Sequence, residues 1–203
     1  MAALDELRLR ERTLAIFLGD NGGLYQIYDI KPFREGPGTD TQLRVQREEF
    51  SNAPLRAGKG SHYEGGIRVP CLVRWPTVIA PGTVVTTPVH VVDWAATFLD
   101  LAGAPAPGDH PLDGISLAPL FGGRPLPGRA LYWYTPFYEL LWGVTPSATI
   151  RDGDWKRIDF FGDSFDAQGR YRSGARVELF NLRTDFGETT DLSTREPVRA
   201  RAL

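Results

Sequence analysis

The stretch "AIFLGDNGG", residues 15–23, sets a carboxylate and an amide directly after a short apolar run. Asp20 and Asn21 carry hard oxygen donors of the kind that Ca²⁺ and Mg²⁺ take. Gly22 and Gly23 let the backbone curl tightly behind them. If the apolar run is a parallel strand, its carboxyl end is where α/β proteins place their ligands. Asn-Gly is also a strong turn signal, so the same residues read as a plain chain reversal.

A second stretch, "APLRAGKGSHYEGGIRVP" at 53–70, presents Lys59 between Gly58 and Gly60. Flanking glycines let the backbone approach a ligand while the ammonium reaches it, which suits an anionic oxygen on sulfate or phosphate. The plainer reading is a solvated loop lysine. Glu64 and Arg68 flank Gly65-Gly66 and suit an ion pair at the entrance to a strand. His62 reads as an acid or as a surface residue.

These residues need elements to hold them. Leu4 and Leu7 among charges predict a surface helix over 2–11, and "TLAIFLG" a strand buried on both faces. The polar segment from Leu24 to Gly60 reads mostly as a long functional loop, in which "QLRVQREEF" makes a short helix. "IRVPCLVRWP" is a second strand closed by Pro76, and "PGTVVTTPVH" a turn with extended chain. "VVDWAATFLDLAG" is a helix capped by Asp93, with Trp94, Phe98 and Leu101 on one face and Gly103 at its end. Buried strands alternating with helices predict an α/β layer architecture with parallel strands.

Composition shifts at "GGRPLPGR". Beyond it "ALYWYTP", "SATIRDGDWKRIDFF" and "RVELFNL", with turns at "RDGD" and near Gly169, predict a small antiparallel sheet. The final residues begin a helix. The expected division is an α/β part over 1–128 and a small β subdomain over 129–203. Of the aromatics Trp133, Tyr134 and Trp142, most are expected in the core of the small sheet, although they also suit a pocket.

The 203 residues carry a net charge of -2, which gives no nucleic-acid footprint. No apolar stretch approaches the roughly 20 residues that span a bilayer. Cys71 is the single cysteine, so no internal disulfide and no thiolate zinc cluster can form. The charged start "MAALDELRLRERT" lacks the apolar centre of a secretory signal.

Taken in order, these pieces resemble the sulfatase family: a strand ending in Asp-Asn-Gly, a long loop, Gly-Lys-Gly, then Glu-Gly-Gly-Ile-Arg-Val-Pro. The likeness continues through "PVHVVDWAATFLDLAG" and "LDGISLAPLFGG" to "IRDGDWKRI" and "ELFNLRTDFGETTDL". The resemblance implies a partial alkaline-phosphatase-like α/β sandwich with a small C-terminal antiparallel subdomain. It implies hydrolysis of sulfate esters at a divalent cation, Ca²⁺ before Mg²⁺, with a small-molecule or glycan sulfate ester as substrate. Asp20 and Asn21 become metal ligands. Lys59 becomes the catalytic residue that contacts the sulfate and steadies the leaving oxygen.

One departure stands out. The family's nucleophile is a formylglycine made in a C-x-P-x-R or S-x-P-x-R motif, and nothing here fits. Cys71 opens "CLVRW" and Ser147 opens "SATIR". That motif, an acidic metal pair and a histidine lie upstream of the Asp-Asn-Gly strand in the family. The chain is therefore expected to hold the C-terminal portion of a sulfatase, inactive alone, with uncovered surface that favours self-association. The alternatives are a phosphonate or phosphate monoesterase of the same superfamily, and a non-catalytic remnant that binds metal and anion.

Overall fold

The computed structural model of the chain describes residues 1–29, 44–166 and 170–203, which fall into two units. One comprises 1–17 and 71–129, the other 18–70 and 130–203.

The first unit opens with helix α1 (Ala2–Glu6), shorter than the span predicted, and a 3-10 turn at Arg10–Arg12. Arg8 interrupts the two with a positive φ of 54°. Strand β1 (Ala15–Leu18) follows and pairs with β4 (Cys71–Arg74). Phe17 and Leu72 on these two strands are each 64% exposed.

Helix α3 (Asp93–Ala102) ends at Gly103, whose φ of 62° supplies the left-handed cap expected of it. Trp94 is buried and stacks on Phe98 with ring centroids 5.9 Å apart. Asp93, however, does not cap the helix. Its carboxylate accepts from His90 N at 2.7 Å and Ile115 N at 3.1 Å, and pairs with Arg129. Burial alone would raise this carboxyl, but the Arg129 bond and the two amides hold it below the usual range. Asp93 therefore ties the connection after α3 back to the helix start. Thr97 adds a second tie, its Oγ1 accepting from Leu117 N at 2.8 Å ahead of helix α4 (Ala118–Phe121).

The second unit holds an antiparallel hairpin, β2 (Gln26–Asp29) with β3 (Arg44–Glu48). The span read as a loop thus contains two strands, and the helix expected from "QLRVQREEF" is a strand instead. β-bridging to β2 overrides the weak helical pattern of those residues. Helix α2 (Glu64–Ile67) is a single turn carrying Gly65 and Gly66.

The small sheet is as the alternating pattern predicts. β5 (Ala130–Thr135), β6 (Ser147–Asp152), β7 (Trp155–Phe160) and β10 (Arg176–Asn181) form an antiparallel sheet in the order β10-β7-β6-β5. Asp152 pairs with Trp155, so Gly153 and Asp154 make the two-residue turn, with Gly153 at φ 56°. The turn expected near Gly169 lies outside the described residues. A short pair, β8 (Ser164–Phe165) and β9 (Tyr171–Arg172), follows β7. Helix α5 (Pro197–Ala202) closes the chain, with Arg199 over the Trp155 ring at 4.4 Å.

Tyr63 packs with Ile158, Phe160, Phe180 and Leu182 as the sheet's core. Of the two β5 aromatics expected in the core, Trp133 is half-buried on the face of Leu131, whereas Tyr134 departs from expectation. Tyr134 is 68% exposed, because alternation along β5 turns Tyr132 and Tyr134 outward while Leu131 is buried.

Candidate functional site

Glycine lets three stretches of backbone meet where side chains would not fit. Gly22 N donates to Gly66 O at 2.8 Å. A Cβ on Gly22 would lie 1.7 Å from Gly65 O, and one on Gly65 would lie 2.3 Å from both Arg56 O and Ala57 O. Gly22 and Gly23 have no positive φ, so their use is close approach rather than the tight curl anticipated. The joint is extended by Lys59 N, which donates to Gly23 O at 3.0 Å.

Asn52 clamps the same place. Its Nδ2 donates to Gly23 O at 2.9 Å and to Ala57 O at 3.0 Å, and its Oδ1 accepts from Gly23 N at 3.1 Å. Sequence reasoning missed Asn52. An asparagine in a glycine-poor turn, "SNAP", gave no sign that its partners lay 29 residues back.

This joint brings the Asp20–Asn21 strand end and the Lys59 loop onto one scaffold. Asp20 Oδ1 accepts from Asn21 N at 2.9 Å, and Asn21 Nδ2 donates to Gly22 O at 2.9 Å. With its amide nitrogen committed, Asn21 keeps its carbonyl oxygen available. The pair fits a hard cation as two of the six to eight oxygens that Ca²⁺ takes. Among the described residues no group of three or more His, Cys, Asp or Glu is placed to hold a metal ion.

Lys59 lines a cleft of about 50 Å³ together with Tyr28, Ser61, His62, Trp142 and Ser147. The Lys59 ammonium lies 4.8 Å from the Trp142 ring centroid. Trp142 therefore belongs to the cleft rather than to the sheet core.

His62 is neither a surface residue nor an acid at neutral pH. It is buried among hydroxyls: Nε2 meets Thr135 Oγ1 at 2.9 Å, and Nδ1 meets Ser147 Oγ at 3.2 Å and Thr149 Oγ1 at 3.1 Å. Burial, aided by the charge of Lys156, pushes its pKa down to about 4.

Glu64 does pair with Arg68, at 3.6 Å, but its main partner is Lys156 at 3.0 Å. Lys156 also meets Glu188 at 2.7 Å, and all three side chains are fully buried. Glu188 Oε2 accepts from Glu64 N at 2.6 Å, fixing the start of α2, while burial pushes the Glu188 carboxyl up. The missed signal was in β7. Lys156 shares an inward face with Ile158 and Phe160, and a lysine there requires a buried carboxylate.

The two residues nearest a nucleophile motif have unsuitable surroundings. Cys71 is half-buried at the start of β4, and burial pushes its thiol up. Ser147 is buried in β6, donating to Thr145 O at 3.0 Å.

Comparison with known proteins decides the family. The family model described as "Sulfatase" matches residues 1–104, and "N-sulphoglucosamine sulphohydrolase, C-terminal" matches 58–199. The chain belongs to the sulfatase family. A sulfatase from Formosa agariphila is 33% identical over 93% of this chain and 30% of its own length. The steryl-sulfatase of Mus musculus is 43% identical over 61% of this chain and 18% of its own. Human arylsulfatase A is 38% identical over 77% of this chain and 26% of its own. The chain thus spans about a third or less of these sulfatases.

The crystal structure of Ps i-CgsB in complex with k-i-k-neocarrahexaose superposes with a TM-score of 0.70 at 28% identity, covering 99% of this chain and 37% of that one. The phosphonate monoester hydrolase of Agrobacterium radiobacter shares the fold, with a TM-score of 0.61 at 21% identity over 99% of this chain and 35% of that one. The architecture is part of the alkaline-phosphatase-like sulfatase fold.

Proposed function

We propose that this chain supplies part of the site of a sulfuric ester hydrolase: Asp20 and Asn21 hold a divalent cation, and Lys59 binds the sulfate group. The observation that carries this reading is the glycine joint, in which Gly22 N bonds Gly66 O and Lys59 N bonds Gly23 O. It fixes the strand end bearing two hard oxygens to the loop bearing a cation. Ca²⁺ suits these donors ahead of Mg²⁺, because it accepts more oxygens in looser geometry. When bound, the cation supplies Lewis acidity toward sulfuryl oxygens.

The chain's own residues do the rest. Lys59 donates hydrogen bonds to the anionic oxygens and, as the catalytic residue, stabilises the charge gathering on the leaving oxygen. Asn21 Nδ2 is tied to Gly22 O, which would leave the amide oxygen to serve a bound cation. His62, neutral at pH 7, adds no charge to the cleft.

No C-x-P-x-R or S-x-P-x-R sequence occurs in the 203 residues, so they hold no site for formylglycine. The reading is therefore that this polypeptide binds cation and anion without turning over sulfate esters by itself. The substrate of the complete site is a small-molecule or glycan sulfate ester. Exposed Phe17 and Leu72 on the β1–β4 pair support self-association, which sedimentation would detect as a concentration-dependent mass.

Calorimetric titration with CaCl₂, then with sodium sulfate, tests the reading. Asp20→Ala should abolish the calcium heat and Lys59→Met the sulfate heat. Titration curves left unchanged by both variants would refute it. A phosphonate monoesterase is the second reading, because a lysine is a point charge that does not distinguish sulfate from phosphonate. Tighter binding of methylphosphonate than of sulfate would favour it.

A further inference from the structure

We propose that Trp142 is a positioning residue for Lys59, holding its ammonium over the indole face without neutralising it; this rests on the anion-site reading of Lys59. The chain has three lysines, Lys31, Lys59 and Lys156, and the contrast between the latter two is informative. Lys156 lies between two carboxylates, Glu64 at 3.0 Å and Glu188 at 2.7 Å. Lys59 makes no ion pair with a carboxylate among the described residues. It faces the Trp142 ring at 4.8 Å. A carboxylate would fix the ammonium but cancel its charge and compete with an incoming anion. An aromatic face fixes it through the ring quadrupole and leaves the full positive charge for an anion.

The turn that carries Trp142 is itself braced. Glu139 N donates to Val144 O at 3.1 Å, and Val144 N donates to Glu139 O at 2.9 Å. Glu139 also accepts from Leu141 N at 3.2 Å through its side chain. Gly143 takes φ 72°, and a Cβ there would lie 3.1 Å from the Tyr28 ring. On the lysine side, Gly60 takes φ 87°, and a Cβ there would lie 2.4 Å from Val144 Cγ2. The Gly-Lys-Gly loop and the 139–144 turn are thus flush, with backbone bonds behind each. The indole is presented to the ammonium by two fixed turns.

The test uses the whole chain. Reductive methylation with ¹³C-formaldehyde gives few dimethyl-lysine NMR signals, and Lys59→Arg assigns one of them. That signal should be shifted upfield by the indole ring current, and should return to the free-lysine position in Trp142→Leu. Unlabelled protein with CaCl₂ present is titrated with sodium sulfate in parallel. Trp142→Leu should weaken sulfate binding about 2- to 30-fold, the range of a cation–π contact from exposed to desolvated, while Trp142→Phe keeps most of it.

An unshifted Lys59 signal overturns the proposal. So does a shifted signal with sulfate affinity unchanged in Trp142→Leu, a result that leaves the anion-site reading standing. If wild-type protein shows no response to sulfate that Lys59→Met removes, the anion-site reading falls and the positioning role falls with it. Should Trp142→Leu fail to fold, Trp142→Phe and Trp142→His report the same graded loss of ring-current shift and affinity.

Discussion

Lys156 and Glu64 form an ion pair of 3.0 Å in which neither side chain meets solvent. Their separation in the chain is 92 residues. The pair joins the inward face of β7 to the single-turn helix that carries Gly65 and Gly66. With Glu188 it forms a buried group of one ammonium and two carboxyl groups, braced at the rim by Arg68 and Arg151.

Replacing Lys156 by Met should leave Glu64 and Glu188 buried without the ammonium they share, with only the longer contacts of Arg68 and Arg151 to Glu64 remaining. The expected loss is about 3–5 kcal/mol of unfolding free energy, typical of breaking a buried pair from one side. Urea denaturation at pH 7 measures it, and a loss under about 1 kcal/mol would contradict this view of Lys156, since exposed pairs contribute that little.

The glycine joint predicts a contrast between neighbours. Gly22→Ala sets a methyl 1.7 Å from the Gly65 carbonyl oxygen, where only backbone can yield, whereas Gly23→Ala meets the Asn52 side chain at 2.8 Å. Gly22→Ala should destabilise by about 3 kcal/mol or more, at the upper end of overpacking costs, and Gly23→Ala by about 1 kcal/mol. Thermal unfolding of both variants tests the order, and equal effects would contradict it.

Asn52→Ala removes three hydrogen bonds to the 23 and 57 backbones. At about 1 kcal/mol each, the expected cost is about 2–3 kcal/mol. Hydrogen exchange of the Gly23 and Lys59 amides should accelerate in this variant beyond what the global loss explains. Unchanged protection would mean that Asn52 does not hold the joint.

His62 gives a pH dependence of fixed sign. Its pKa is depressed from an unfolded value near 6.5 to about 4, so its contribution is complete above pH 6.5 and lost as pH falls through 4. The shift corresponds to about 3 kcal/mol across that window. His62→Gln should flatten the fall in urea stability between pH 7 and pH 4.5. A wild-type curve with no fall in this range would refute the assignment.

Much of this was legible in the residues themselves, and the gaps have physical causes. Alternation in "SATIRDGDWKRIDFF" and "RVELFNL" foretold the antiparallel sheet, because inward and outward neighbours differ in polarity along each strand. Gly103 marked the end of its helix because a left-handed cap favours glycine. β3 was misread as a helix because "RVQRE" is mostly polar and its identity as a strand comes from pairing with β2. Asp93 has the residue type of a cap, yet its carboxylate turns to Arg129 and to amides from other segments. Glu188 could not be linked to Glu64 at all, since its partner lies 124 residues away. Local patterns encode local elements, whereas buried charge and backbone contact depend on which distant segments meet.

The meeting of Gly22 with Gly65 is backbone against backbone. Elsewhere in a protein, a change on one side of a contact can be absorbed by a complementary change on the other, a larger residue balanced by a smaller one. Here each partner is already the smallest residue, so neither has a side chain left to trim. No complementary pair of substitutions can relieve a clash at this joint. A change of size can be accommodated instead around the joint, at positions such as Tyr28 where a side chain lines the cleft.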